Sequence, residues 1–181
     1  MADLFVRFER FLMRWTLRAA MALLVLTCFV SFYQVITRFV FEEPSAWSEV
    51  AARSLNIWMV YLGVAVAFRT GALMAVDYLV DRVRGRARAI LVAAITGVSL
   101  GVLGVMVWFG IAMVSRVRFQ SLAGMMNPFT GDEISIGFVY AAIPVGSTLA
   151  IIAALARAAE QIRLSLSDAP APEGRREIFE V

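Results

Sequence analysis

The side chains able to take part in chemistry fall along two lines. Thr27, Ser31, Gln34 and Arg38 are spaced four, three and four residues apart, and Glu49, Arg53, Asn56 and Gly63 follow similar helical arithmetic. On a helix, such spacing gathers each set on one face. In a chain that is 61% hydrophobic, such faces lie at or near membrane depth, where polar groups are costly and turn toward protein or water. Each line, with Trp47 beside the second, is therefore either part of a transport pathway or an interhelical or intersubunit contact held by hydrogen bonds. The contact reading is favoured. Both lines cluster at one end of their spans, and no acid sits in the middle of any span. A proton- or Na+-coupled carrier keeps ionisable groups or broken helices near the midplane. Glu49 has two candidate ion-pair partners: Arg53, four residues on in the favourable order, and Arg38 on the preceding helix.

Other chemistries are excluded by composition. The chain has no His, and all 17 of its basic residues are Arg. That removes a Ser-His-Asp triad, a His metal site, bis-His haem and a Lys Schiff base. The single cysteine, Cys28, cannot form an intrachain disulfide and reads as a buried small apolar residue. No cofactor is expected. The basic residues punctuate apolar runs instead of clustering on a polar domain, which is a membrane pattern and not a nucleic-acid one. A lipid phosphatase is excluded by the missing His, and no Asp-rich cluster supports an alcohol phosphotransferase.

The elements that must position these residues are apolar helices. Charge-free runs cover residues 19–37, 54–68, 89–115 and 134–156. About 20 apolar residues cross a hydrocarbon core of about 30 Å, so three runs qualify outright. The second is short, but Pro44-Ser45-Ala46-Trp47-Ser48 is a helix-start signal, and a helix from Ser45 spans comfortably. A re-entrant half-helix is the alternative there. The first run is a retained anchor, not a signal peptide, since no small-x-small cleavage site follows it. The expected fold is an all-α membrane protein with spans near 19–38, 45–68, 89–115 and 134–156. Four spans place both termini on one side, together with 13 of the 17 Arg residues, which makes that side cytoplasmic.

The flanks add detail. Residues 1–18 read as an amphipathic helix on the cytoplasmic face, with Leu4, Phe5, Phe8, Phe11, Leu12 and Trp15 set against Arg7, Arg10, Arg14 and Arg18. A second short interfacial helix, with Val76, Leu79, Val80 and Val83 on one stripe, is expected between spans two and three. Residues 19–163 form the membrane domain, and residues 164–181, with Pro170 and Pro172, form a disordered tail. Ala93, Gly97 and Gly101 in span three and Ala142, Gly146 and Ala150 in span four make small-residue ridges that admit close helix packing. Pro144 should kink span four, because it has no N–H. Leu122, Met125, Met126 and Phe129 in the loop before span four are apolar side chains suited to docking on lipid headgroups or a partner protein.

The ordered set Arg38-Phe39-Val40-Phe41, Pro44, Trp47-Ser48-Glu49 and Arg53 resembles the small membrane subunit (DctQ-like) of tripartite ATP-independent periplasmic (TRAP) transporters. Gly63, Ala67, Arg69, Gly71, Val76 and Asp77 resemble the segment that closes that family's second span, and Tyr140-Ala141-Ala142-Ile143-Pro144-Val145-Gly146 its fourth. The pattern departs at Val50, where the family often has a second acid, and at Leu73 and Met74, where it often has His-Ile. The resemblance implies a non-catalytic subunit of the bacterial inner membrane. Its partners would be a large membrane subunit carrying the substrate and Na+ sites and a periplasmic substrate-binding protein that captures an organic acid. A stand-alone four-span carrier working as a homodimer is the competing reading. It needs a membrane-embedded acid in the first span, and that span has none.

Overall fold

In hydrocarbon, an apolar chain can satisfy its own backbone N–H and C=O groups within one segment only as a helix. A computed structural model describes residues 2–42, 45–71, 86–126 and 133–167, and most of these are helical. The first helix, α1 (Ala2–Phe39), runs 38 residues without interruption. The surface helix expected over residues 1–18 and the span expected from 19 are thus one continuous rod. No Gly or Pro lies within it, and a run of Arg side chains does not stop a helix. The chain then turns through Glu42, which takes a left-handed backbone with φ of 56°.

Helix α2 (Ala46–Thr70) starts after Ser45, whose extended backbone (φ −84°, ψ 109°) caps it. The Ser48 hydroxyl donates to the Ser45 carbonyl at 2.9 Å, closing the first turn. It ends at Gly71, which is left-handed at φ 70° and donates its N–H to the Ala67 carbonyl at 3.0 Å. A Cβ at Gly71 would collide with the Arg157 guanidinium, so glycine serves both the turn and the packing. Helix α3 (Arg86–Val117) is followed by an antiparallel pair of short strands, β1 (Ser121–Met126) and β2 (Glu133–Ser135). The strands add a small sheet to what sequence reading expects to be all α with a loop at this point. The fourth span is split into α4 (Gly137–Tyr140) and α5 (Ala142–Ser167). The break at Ala141 sits just where Pro144 withholds the N–H that would bond the Tyr140 carbonyl, so the expected kink takes the form of an interruption.

Four of these stretches, Glu9–Phe39, Trp47–Thr70, Ala87–Val117 and Gly137–Ile162, are long and apolar enough to cross a membrane. The molecule is a four-span α-helical membrane protein. The spans pack in the order α1, α2, α5, α3, so that α1 and α3 form the two ends of a row. The interior holds small side chains: Ala65 of α2, Leu103 of α3 and Ala150 of α5 meet in one buried cluster, and Val92 of α3 and Ala158 of α5 in another. One end of the row, the terminus end, gathers the start of α1, the end of α2, the start of α3 and the end of α5. The opposite, hairpin end carries the α1–α2 turn and the two strands. The short helix expected between spans two and three and the chain beyond Ser167 lie outside the described residues; α5 itself continues three residues past Leu164.

Candidate functional site

The two polar lines point in different directions. On α2, Ser48, Ala51, Leu62, Ala65 and Val66 face inward, and this sets Glu49, Arg53 and Asn56 on the opposite, exposed side. Arg53 Nη2 donates to Glu49 Oε1 at 2.9 Å, with the two side chains 72% and 61% exposed. Of the two candidate partners for Glu49, the structure pairs Arg53 and not Arg38. The i,i+4 spacing brings Arg53 onto the Glu49 face, whereas Arg38 ends α1 with its guanidinium over the Phe39 ring, 6.0 Å from its centre. Gly63, the last member of this line, is half-buried and leaves the exposed face. Trp47, partly exposed, stacks on Tyr33 of α1 with ring centres 5.5 Å apart, which ties the start of α2 to α1.

On α1 the polar line continues the helix's own packing face. Glu9, Met13, Thr16 and Ala20 are buried at helical spacing, and Thr27, Ser31 and Gln34 extend that side as half-buried residues. The Thr27 hydroxyl donates back to the Leu23 carbonyl at 2.7 Å, as Thr16 does to Leu12 at 2.9 Å, so neither requires a partner from another helix. Arg38 alone of this set is exposed. Cys28, expected to be buried, is also exposed, because α1 ends the row and nothing among the described residues covers its outer side.

The small-residue ridges divide in the same way. Ala142, Gly146 and Ala150 of α5 are buried, and a Cβ on Gly146 would stand 2.6 Å from the Tyr61 Cβ and 2.9 Å from its carbonyl oxygen. Pro144 is half-buried and packs against Gly110 of α3, where a Cβ would stand 2.9 Å from its Cδ. On α3, by contrast, Ala93, Gly97 and Gly101 are exposed, with nothing within 4 Å of a Cβ at either glycine.

One polar cluster escapes sequence reading. At the terminus end, Arg69 Nε stands 2.8 Å from Glu9 Oε1, and Arg69 Nη1 donates to Glu160 Oε2 at 3.1 Å. The Glu9 side chain is 1% exposed and that of Arg69 15%. Arg157 Nη1 reaches the Arg69 carbonyl at 3.5 Å. These contacts join α1, α2 and α5. The signal available was the position of Glu9: it is the one acid on the line with Met13, Thr16 and Ala20, the apolar side of an otherwise Arg-studded segment.

At the hairpin end, Trp58 Nε1 donates to the Phe138 carbonyl at 3.2 Å, and the two rings lie 5.4 Å apart, which anchors the start of the fourth span on α2. The Ser135 hydroxyl donates to the Arg118 carbonyl at 2.8 Å and accepts the Gly137 N–H at 3.1 Å, so one side chain ties β2 to both neighbouring helices. Strand β1 lies against α2. Of the loop's apolar residues, Leu122 is half-buried, while Phe129 lies outside the described residues. Among the described residues, no three Cys, Asp or Glu side chains gather closely enough to hold a metal. The arrangement provides contact surfaces of two kinds: some used within the chain, others turned outward.

The family model of the tripartite ATP-independent periplasmic transporters, DctQ component, matches residues 27–164, from the middle of α1 to near the end of α5. The sialic acid TRAP transporter small permease protein SiaQ of Vibrio cholerae serotype O1 is 26% identical over 110 residues. That match covers 60% of this chain and 64% of the relative, less than two thirds of the relative's length.

Proposed function

This chain belongs to the DctQ component family of TRAP transporters, and from that membership we propose that it is the small membrane subunit which braces a large one. In this reading it holds the large subunit's scaffold in the bacterial inner membrane. It helps to dock a periplasmic substrate-binding protein while the large subunit takes up an organic acid together with Na+. Both termini lie in the cytoplasm, following the 13-to-4 division of Arg residues. The hairpin end then faces the periplasm.

The observation that carries this reading is the outward face of α2. Among the described residues, Glu49, Arg53 and Asn56 are exposed and turn away from the other helices, on a span that must pass through lipid. Asn56 lies about 15 Å along the helix from its start, inside the charge-free run that begins at Ser54. A polar line in that position needs protein beside it. We assign it, with Trp47 and Arg38 at its periplasmic edge, to the large subunit. The open ridge Ala93, Gly97 and Gly101 is a further surface on which a helix backbone can lie close.

The test is co-purification of the chain with the large subunit, together with solute uptake by the assembled transporter. Glu49→Gln should lower both. Wild-type recovery and uptake in that variant would remove Glu49 from the interface, and solute transport by the purified chain alone in liposomes would overturn the subunit role itself.

A further inference from the structure

We propose that α1 carries a binding site for anionic phospholipid headgroups, formed by Arg10, Arg14 and Arg18 and lying deeper than the flanks of the neighbouring spans. The three Arg residues follow one another at four-residue spacing along one exposed line of α1, opposite the buried side made by Glu9, Met13 and Thr16. Among the described residues no carboxylate pairs with any of them, since Glu9 is turned inward onto Arg69. Successive guanidinium groups about 6 Å apart along the axis repel one another. An anion seated between neighbouring rungs relieves that repulsion, and phosphate accepts from the Arg fork in bidentate fashion.

The depth of the site follows from the contacts that hold α1. Helices α1 and α2 are antiparallel, with Glu9 against Arg69 at one end and Tyr33 against Trp47 at the other. Interpolating between those contacts sets Arg14 and Arg18 about one and two turns inside Arg69, beside the half of the charge-free run of α2 nearest the terminus end. The Glu9–Arg69–Glu160 cluster prevents this part of α1 from swinging out to lie flat on the membrane. Side chains on a helix lean toward its N-terminus, so these Arg stems bend toward the terminus end and can draw headgroups down along α1.

Lipid is the occupant that the surroundings favour. Phe11 and Trp15 flank the line, both more than half exposed, and Arg18 sits over the Trp15 ring, 5.6 Å from its centre. Interleaved Arg and aromatic side chains are the pattern of a membrane interface. Further along, the outer side of α1 is bulky, with Phe29 and Phe32 exposed, a surface that fluid acyl chains fit better than a closely packed helix.

Trp15 is a built-in reporter. The full chain with Trp15 as its one tryptophan (Trp47, Trp58 and Trp108 each changed to Phe) would be reconstituted in phosphatidylcholine bilayers. Brominated phosphatidylglycerol or brominated phosphatidylcholine would be added at equal mole fraction. The brominated anionic lipid should quench Trp15 with a relative affinity at least about five-fold above the zwitterionic one, the equivalent of one basic residue at an anionic surface. That ratio should fall toward one in 0.5 M NaCl, on the order of a 4 Å Debye length, and in the Arg10→Gln/Arg14→Gln/Arg18→Gln variant. With Trp108 on α3 as the single reporter, the ratio should stay near one. A ratio near one at Trp15, or one untouched by salt and by the Gln substitutions, overturns the site. So does loss of Trp15 quenching by both lipids when the large subunit is co-reconstituted, because a protein would then cover the line.

Discussion

Helices α1 and α2 carry polar lines of nearly the same spacing, yet the first lies half-buried along a packing face and the second is exposed. Thr27, Ser31 and Gln34 extend the face that α1 packs with, and Thr27 satisfies its hydroxyl on its own backbone. Glu49, Arg53 and Asn56 occupy a side of α2 that no helix among the described residues covers. The ridges repeat the contrast: Gly146 is pressed against Tyr61, whereas Gly97 and Gly101 meet open space. The difference comes from packing order. In a row, even a middle helix keeps a free side, and the end helices keep more. Periodicity tells which residues share a face, but the row decides whether that face has a neighbour.

The sharpest way to break this comparison sets an inward charge against an outward one. Arg69→Leu strands the Glu9 carboxylate, which is 1% exposed, and removing one partner of a buried ion pair costs about 3–5 kcal/mol. Arg53→Leu removes the partner of an exposed i,i+4 pair, worth about 0–1 kcal/mol. Denaturant unfolding of the purified chain, followed by helical circular dichroism, should show a large loss for the first substitution and almost none for the second. Equal losses would mean that the inward and outward sides are not energetically distinct.

A similar contrast separates the ridges. Gly146→Leu drives a side chain into Tyr61, where even a Cβ stands 2.6 Å from the nearest atom, and overpacking of this kind costs about 1–3 kcal/mol. Among the described residues nothing lies within 4 Å of a Cβ at Gly97, so the isolated Gly97→Leu protein should unfold at the wild-type midpoint. If α3's open side receives the large subunit, the same Gly97 substitution should still lower co-purification. A destabilised Gly97 variant would show that α3's outer side is already occupied within the fold.

Much of this was legible in the sequence, for physical reasons that can be named. Apolar length fixes three spans outright, and the Pro44-Ser45 signal supplies the fourth by placing the start of α2 next to where the helix begins, at Ala46. Charge misleads at α1. Arg10, Arg14 and Arg18 read as the boundary between a surface helix and a span, but backbone hydrogen bonding ignores side-chain charge, and the rod continues. Glu9 was hidden because its partner, Arg69, is 60 residues away in sequence, and the second carboxylate on Arg69, Glu160, is a further 91. Only packing brings them together. The strands at Ser121–Met126 and Glu133–Ser135 were hidden for a related reason, since their pairing is set by the helix ends that hold them and not by alternation of their own. The direction in which a polar line faces is likewise a property of the neighbours.

The smallest predicted effect probes that last point, because its sign differs between two measurements. Asn56 presents an amide inside the charge-free run of α2, on its exposed side. In lipid, without a partner, that amide is a cost to the isolated chain, so Asn56→Leu should leave its stability unchanged or raise it slightly. In the proposed assembly the amide would have protein beside it, and interhelical polar contacts in membranes are worth about 0.6 kcal/mol on average. The same substitution should therefore weaken association with the large subunit by roughly two- to three-fold, measured as a shift in the dissociation midpoint on titrating detergent against the complex. Thr27→Val on α1 should move neither quantity, because that hydroxyl is satisfied by Leu23 on its own helix. If Asn56→Leu weakens the chain alone and leaves the complex intact, the amide is used within the fold, and the outward line of α2 loses its role as a surface held in reserve for a partner.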